Sequence, residues 1–136
     1  MTVRPTFNVV TKTAIVASEH ILIPAKPDYL STLGIDYLQN SVAQLIGDFN
    51  EYVALGPKNA EEIEPQILGV VFTMVSRYGG QPISALRPFI AQTKKLGVPV
   101  FKTQIRENKT LFGEAPQYGI PTVISLRSLK NSHRSY

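Results

Sequence analysis

Along this chain, helical stripes of apolar residues alternate with short, almost continuous apolar runs. Residues 5–17, PTFNVVTKTAIVA, set Phe7, Val10, Ala14 and Ala17 at helical spacing, with Thr6 as a cap, and predict a short helix. His20 to Ala25, HILIPA, is a brief apolar run ending in proline and predicts a buried parallel strand that stops at the sheet's edge. From Leu30 to Val53 the residues Leu30, Leu33, Tyr37, Leu38, Val42, Leu45, Ile46, Phe49 and Val53 recur every three or four positions, which predicts the longest helix. Asp28 or Ser31 caps it and Gly56-Pro57 ends it. Gly34 and Gly47 inside it each weaken it by about 1 kcal/mol relative to alanine and so mark close packing, a bend or a break. Lys58 to Pro65 is expected to be a charged and most exposed loop. Gln66 to Val75, QILGVVFTMV, has the β-branched composition of a central parallel strand covered on both faces. The stretch Ser76 to Pro82 is expected to be a flexible loop. A third helix then runs from a Ser84 cap to Gly97, with Pro88 near its first turn, Lys94 and Lys95 in its last, and Leu86, Phe89, Ile90 and Leu96 inward. A strand follows at Val100 to Ile105.

Strand, helix, strand, helix, strand implies right-handed crossovers, so the expected class is α/β: a parallel sheet flanked by helices. Loops that leave the carboxyl ends of such strands are where ligands bind. The candidate site is therefore built from the loops after Val75 and Ile105, the second being Arg106-Glu107-Asn108-Lys109. Taken alone, these residues fit an ordinary surface connection better, because strand-end loops are polar whether or not they bind anything. Beyond them lie Gly113 to Gly119 and a second β-rich run, Thr122 to Leu126.

Composition narrows the classes. The 136 residues fit one domain, and 43% hydrophobic with 18% charged residues is ordinary for a globular chain. There is no cysteine, and His20 and His133 lie far apart, so neither a disulfide framework nor a protein-only metal site is expected. His20 has no carboxylate or nucleophile placed to make it a base and reads as structural. No apolar run approaches the roughly 20 residues of a membrane span, and a cytoplasmic protein is expected. The net charge of +4 permits an anionic partner, with Arg127, Lys130 and Arg134 forming a basic tail over 127–136.

The stretch from Ile105 to Pro121 resembles a segment of ParA/MinD-type partition ATPases, I-P-R-N-x-x-L-x-E-A-P-x-Y-G-x-P. Ile105, Asn108, Leu111, Glu114, Ala115, Pro116, Tyr118, Gly119 and Pro121 stand in register with it. Three further blocks are similar to the second half of that family: Pro5-Thr6 with Ala14 to Ala17, His20 to Tyr29, and Leu68 to Met74. Together they cover roughly residues 4 to 126. The resemblance implies a ParA-like carboxyl-terminal α/β domain over 1–126, a partial P-loop NTPase fold. It also implies descent from an ATP-dependent dimerising switch that binds DNA nonspecifically or sits on a membrane and positions plasmids or chromosomes.

The same resemblance defines what this sequence lacks. The family's deviant Walker A loop, K-G-G-x-G-K-T, holds the triphosphate on backbone N–H groups and supplies a phosphate lysine and a magnesium-binding threonine. No such loop occurs here: Gly79-Gly80 precedes Gln81 and Pro82, and Thr2 stands where the Walker B aspartate belongs. The expectation is a truncated or degenerate family member with no catalytic residues, no ATPase activity and no cofactor of its own, although ATP and magnesium serve the full-length family. The resemblance implies that Thr73, Met74 and Val75, with Arg106, Glu107 and Asn108, line what remains of the nucleotide-base pocket. The family's proline is Arg106 here and its arginine Glu107. Without phosphate contacts, affinity no better than about millimolar, roughly 4 kcal/mol, is expected.

For nonspecific DNA, the candidates are Arg77, Lys102, Arg106 and Lys109 with Arg127, Lys130 and Arg134, residues that fit an ordinary solvated face equally well. A chain without the phosphate-loop half leaves an unpaired sheet edge and bare apolar surface, which implies self-association or docking on a full-length relative. Three classes follow: a degenerate or partial partition ATPase, a DNA-binding or regulatory module, and an interaction protein that docks through the Leu30–Val53 helix.

Overall fold

The computed structural model describes residues 7–56, 60–109, Phe112 and Gly119. The chain divides into two units, Met1–Arg106 and Glu107–Tyr136. In the second, the Phe112 N–H donates to the Asn108 carbonyl at 3.1 Å, closing one helical turn. The run Thr122–Leu126, the motif residues Leu111, Glu114, Ala115, Pro116, Tyr118 and Pro121, and the tail lie outside the described residues, as do Pro5 and Thr6.

The first unit carries the α/β fold. Its elements are α1 (Val9–Val16), β1 (His20–Ala25), α2 (Tyr29–Leu55), β2 (Gln66–Val75), β3 (Arg77–Tyr78), β4 (Gln81–Pro82), α3 (Arg87–Lys95) and β5 (Val100–Arg106). β1, β2 and β5 form a parallel sheet in that order, with β2 central. Both crossovers step the same way across the sheet, so right-handed connections deliver α2 and α3 to one face. One core results: Ile23 and Ala25 of β1, Val70, Phe72 and Val75 of β2, Ile35 of α2, Ile90 of α3, and Val98.

β2 departs from a regular strand twice, and each departure re-aims its side chains. Against β1, Ile21 pairs with Ile67 but Leu22 with Gly69, so Leu68 is an extra residue. Against β5, Phe72 pairs with Gln104 and Val75 with Arg106, three residues against two, which leaves a second extra residue at Thr73–Met74. An extra residue reverses the alternation of faces. Ile67, Val70, Phe72 and Val75 thereby all point to the core, at a spacing of three, two and three. The first bulge carries Gly69 at φ +143, where an added Cβ would lie 2.6 Å from the Pro99 carbonyl oxygen. That same oxygen accepts from Val70 N–H at 2.8 Å, so the glycine is what lets the entry to β5 close on β2.

Helix cover reaches only one face among the described residues, not the two expected for β2. Leu22 and Leu68 point away from the core and are 51% and 46% exposed, and on β5 Phe101 and Ile105 are similarly open. The stripe on α2 is also not one face. Ile35 and Val42 are buried, whereas Leu30, Leu33 and Tyr37 are largely exposed. At about 100° per residue the latter three lie on the opposite side of the helix from Ile35 and Val42. Gly34 and Gly47 mark neither packing nor a break, since nothing approaches within 4 Å of a Cβ built at either and the helix runs through both.

Capping explains the helix boundaries. Asp28 caps α2, its carboxylate accepting from Ser31 N–H at 2.8 Å. Asn8 caps α1 by accepting from Thr11 N–H at 3.0 Å, so that helix starts later than the Thr6 cap predicts. α3 starts after Leu86 without a side-chain cap, not at Ser84, with Pro88 in its first turn. The segment before β2 is held rather than free. Asn50 of α2 both accepts from Ile63 N–H (2.8 Å) and donates to Ile63 C=O (2.9 Å), and Pro65 is buried.

Candidate functional site

The carboxyl end of the sheet is shaped by the second bulge. Met74 there has φ +54, the only described non-glycine residue at positive φ, and its side chain is 60% exposed. A non-glycine residue held at positive φ costs about 1–3 kcal/mol, and such residues cluster at functional sites. Its neighbours diverge. Val75 is wholly buried in the core and offers the site only its backbone. Thr73 is half-buried, with its hydroxyl 3.5 Å from the Ala25 carbonyl. Arg106, exposed, stands opposite Val75 on β5. Within the first unit, the ends of the T-M-V and R segments thus meet side by side. Glu107 and Asn108 open the second unit, Glu107 exposed and Asn108 half-buried.

The stretch after Val75 is a β-hairpin instead of a flexible loop. Arg77 pairs with Pro82 and Tyr78 with Gln81 around Gly79 and Gly80, at φ +57 and +77. Two consecutive positive φ values make the tight two-residue turn that suits a hairpin, and glycine adopts them without strain. The hairpin is fastened on both flanks. The Arg77 guanidinium donates to Gln104 of β5 at 3.4 Å, and the Arg87 Nε donates to the Pro82 carbonyl at 2.9 Å. Ile83 N–H closes its base on the Ser76 carbonyl at 3.1 Å. At the edge of the turn Tyr78 is 87% exposed.

Charge in the first unit is segregated. From Pro65 to Arg106 there are six cations, Arg77, Arg87, Lys94, Lys95, Lys102 and Arg106, and no aspartate or glutamate; residues 7–64 hold eight carboxylates against three lysines. Three of the six cations, Arg77, Arg87 and Arg106, gather about the hairpin. Lys102 lies four residues back along β5, and Lys94 and Lys95 end α3. Lys109 is exposed in the second unit, and Arg127, Lys130 and Arg134 lie outside the described residues. The pattern Gly-Gly between two short pairs, and the run of 42 residues without a carboxylate, are the sequence signals for Tyr78, Arg87 and Gln104.

A second concavity, about 580 Å³, lies between α1, β1 and the first half of α2. Phe7, Ile23, Leu30, Ile35, Tyr37 and Leu38 make it apolar, with Lys26, Thr11 and Ser31 as its polar members. Neither place collects metal ligands: among the described residues no group of three or more His, Asp or Glu side chains converges, and no helix is long and apolar enough to cross a membrane. His20 is exposed at the start of β1. Set against known protein families, characterised proteins and solved structures, the chain matches none of them.

Proposed function

We propose that the chain is a degenerate or partial ParA-type partition protein that keeps the nucleoside end and the basic surface of that fold and does not hydrolyse ATP by itself. The observation that carries this reading is the pairing of Val75 with Arg106 at the carboxyl edge of a parallel sheet. It brings Met74 and Arg106, from two of the family-like segments, to neighbouring strand ends, where open α/β sheets bind ligands. At the bulge, Met74 has a positive φ and a flexible, exposed apolar side chain. Nothing in the 136 residues can cradle a triphosphate as a glycine-rich loop does.

Two measurements test the reading. Calorimetric titration with ATP and magnesium is expected to give no binding tighter than about millimolar; magnesium-dependent micromolar binding overturns it. Sedimentation of a mixture with a full-length ParA-type ATPase and ATP is expected to show a mixed complex, and two independently sedimenting species refute the partnership.

The half-open face of the sheet, with Leu22, Leu68, Phe101 and Ile105, favours a second reading as an interaction protein that self-associates through it. A sharp, concentration-independent monomer in sedimentation velocity counts against that. Duplex DNA binding through Arg77, Lys102 and Arg106 of the first unit belongs to the same family-derived proposal. It must weaken as salt rises, with a log–log slope of about −0.9 per phosphate neutralised.

A further inference from the structure

We infer that the β3–β4 hairpin is a single-stranded nucleic-acid site, with Tyr78 as the base-stacking platform and Arg77, Arg87 and Arg106 as the phosphate contacts. The inference shares Arg77, Lys102 and Arg106 with the duplex-DNA surface proposed above but rests on the hairpin and Tyr78, and it uses no phosphate loop and no ATP.

Four observations converge on it. Tyr78 is the most exposed of the large apolar side chains among the described residues, at 87%. An aromatic ring held in water at such a position lacks the packing that would give it a structural role, and its π-face is open to a partner. Second, its mounting is fixed: the Gly79-Gly80 turn sets the strands, Arg77 fastens the first strand to Gln104, and Arg87 fastens the second through the Pro82 carbonyl. A platform held in place loses little conformational freedom when a base stacks on it. Third, the cations near it are arginines, whose planar guanidinium groups bind phosphate oxygens in pairs and stack on bases. Arg77 pairs with Pro82, to whose carbonyl Arg87 donates, and Arg106 stands opposite Val75, two residues before Arg77, so all three border one hairpin. Fourth, no carboxylate occurs between Pro65 and Arg106, so the segment that builds the hairpin and its flanking elements carries positive charge alone, with Glu107 next along the chain.

The combination selects a single strand over a duplex. A base in a duplex is stacked on both faces by its neighbours and has none to offer a tyrosine, whereas an unpaired base has a free face and a backbone that bends to meet the arginines. Stacking of this kind tolerates any base, so sequence preference is expected to be slight. Lys102, farther back on β5, extends the track for the strand.

The test is fluorescence anisotropy with a labelled oligo-dT of roughly 16 nucleotides, the upper site size of a single stacking module, at rising potassium chloride. The full chain is expected to bind it at low salt, more tightly than a duplex of equal length. The log–log salt slope should be about −0.7 for each phosphate contact. Tyr78→Ala is expected to weaken binding by about tenfold or more while leaving the slope unchanged, and Tyr78→Phe to restore it, because the ring and not the hydroxyl stacks. Arg77→Ala should reduce the slope by about 0.7. Quenching of tyrosine fluorescence on binding, lost in Tyr78→Ala, reads the stacking directly. Three results overturn the inference: no binding at low salt, equal affinity for the duplex, or Tyr78→Ala binding as the unaltered chain does. Equal affinity for the duplex would point instead to the general DNA surface. Since Tyr78 is exposed at a turn, Tyr78→Ala keeps the fold, and an unchanged far-ultraviolet dichroism spectrum checks it.

Discussion

Replacing Gly69 by alanine, and Gly47 by alanine as its counterpart, should change stability in opposite directions. In the first case the new methyl carbon lies 2.6 Å from the Pro99 carbonyl oxygen and 3.1 Å from its carbon, with the Phe101 ring at 3.2 Å. Two of those atoms are backbone, and the oxygen is already fixed by Val70 N–H. They cannot move aside without opening the junction between β2 and β5. Forcing extra volume into a packed place costs about 1–3 kcal/mol, and a side chain at φ +143 adds about 1–3 kcal/mol of backbone strain. Together these make about 2–6 kcal/mol, against a total stability of about 5–15 kcal/mol for a typical domain. At about 4 °C per kcal/mol for a chain of this size, Gly69→Ala should lower Tm by about 8–24 °C. At Gly47 a Cβ meets nothing within 4 Å, and the helical backbone suits alanine. Gly47→Ala should therefore stabilise by about 0.5–1 kcal/mol, raising Tm by a few degrees. Thermal and urea unfolding followed by far-ultraviolet dichroism measure both. A loss under about 1 kcal/mol at Gly69, or a loss at Gly47 comparable to that at Gly69, would refute the account of the first bulge.

Three further outcomes are expected. Phe72→Ala empties the middle of the core, where the ring is 1% exposed, and should destabilise by about 3–5 kcal/mol, read as a lower urea midpoint with little change in slope. Asn50→Ala removes both hydrogen bonds to Ile63 and should lose about 1–2 kcal/mol. Its mark is faster hydrogen exchange at the Ile63 amide while β2 amides keep their protection; unchanged exchange would show that Asn50 does not hold the segment. Asp28→Ala should lose about 1 kcal/mol by uncapping α2, and Asp28→Ser should recover most of it.

The strands were the most legible part of the chain. HILIPA and QILGVVFTMV carry the continuous apolar pattern of buried parallel strands, and both span the residues expected of them. The period also found α2, but not which of its apolar residues face inward. Leu30, Leu33 and Tyr37 recur at three and four positions just as the buried residues do, and only the position of the sheet decides which side of a helix is covered. The bulges at Gly69 and Met74 were hidden because an apolar run reads the same whether or not one residue is extra. The spacing of Ile67, Val70, Phe72 and Val75 becomes meaningful once the register against β1 and β5 is known. Val75 illustrates the effect on the site: the family resemblance implies a pocket wall there, and the second bulge turns its side chain into the core. The hairpin was written in Gly79-Gly80, but its flanking pairs are too short and too polar to announce strands. Asn50 and Ile63 are thirteen residues apart, and no local pattern signals their contact.

The separation of charge makes the isoelectric point a poor description of this surface. The isoelectric point calculated from composition is about 9.4, yet eight carboxylates fall in residues 7–64 and none in 65–106, which hold six cations. The protein's solubility near that pH should rise when salt is first added, because salt screens attraction between opposite charges. That is the reverse of simple salting out, and purification should be easier in moderate salt than in water.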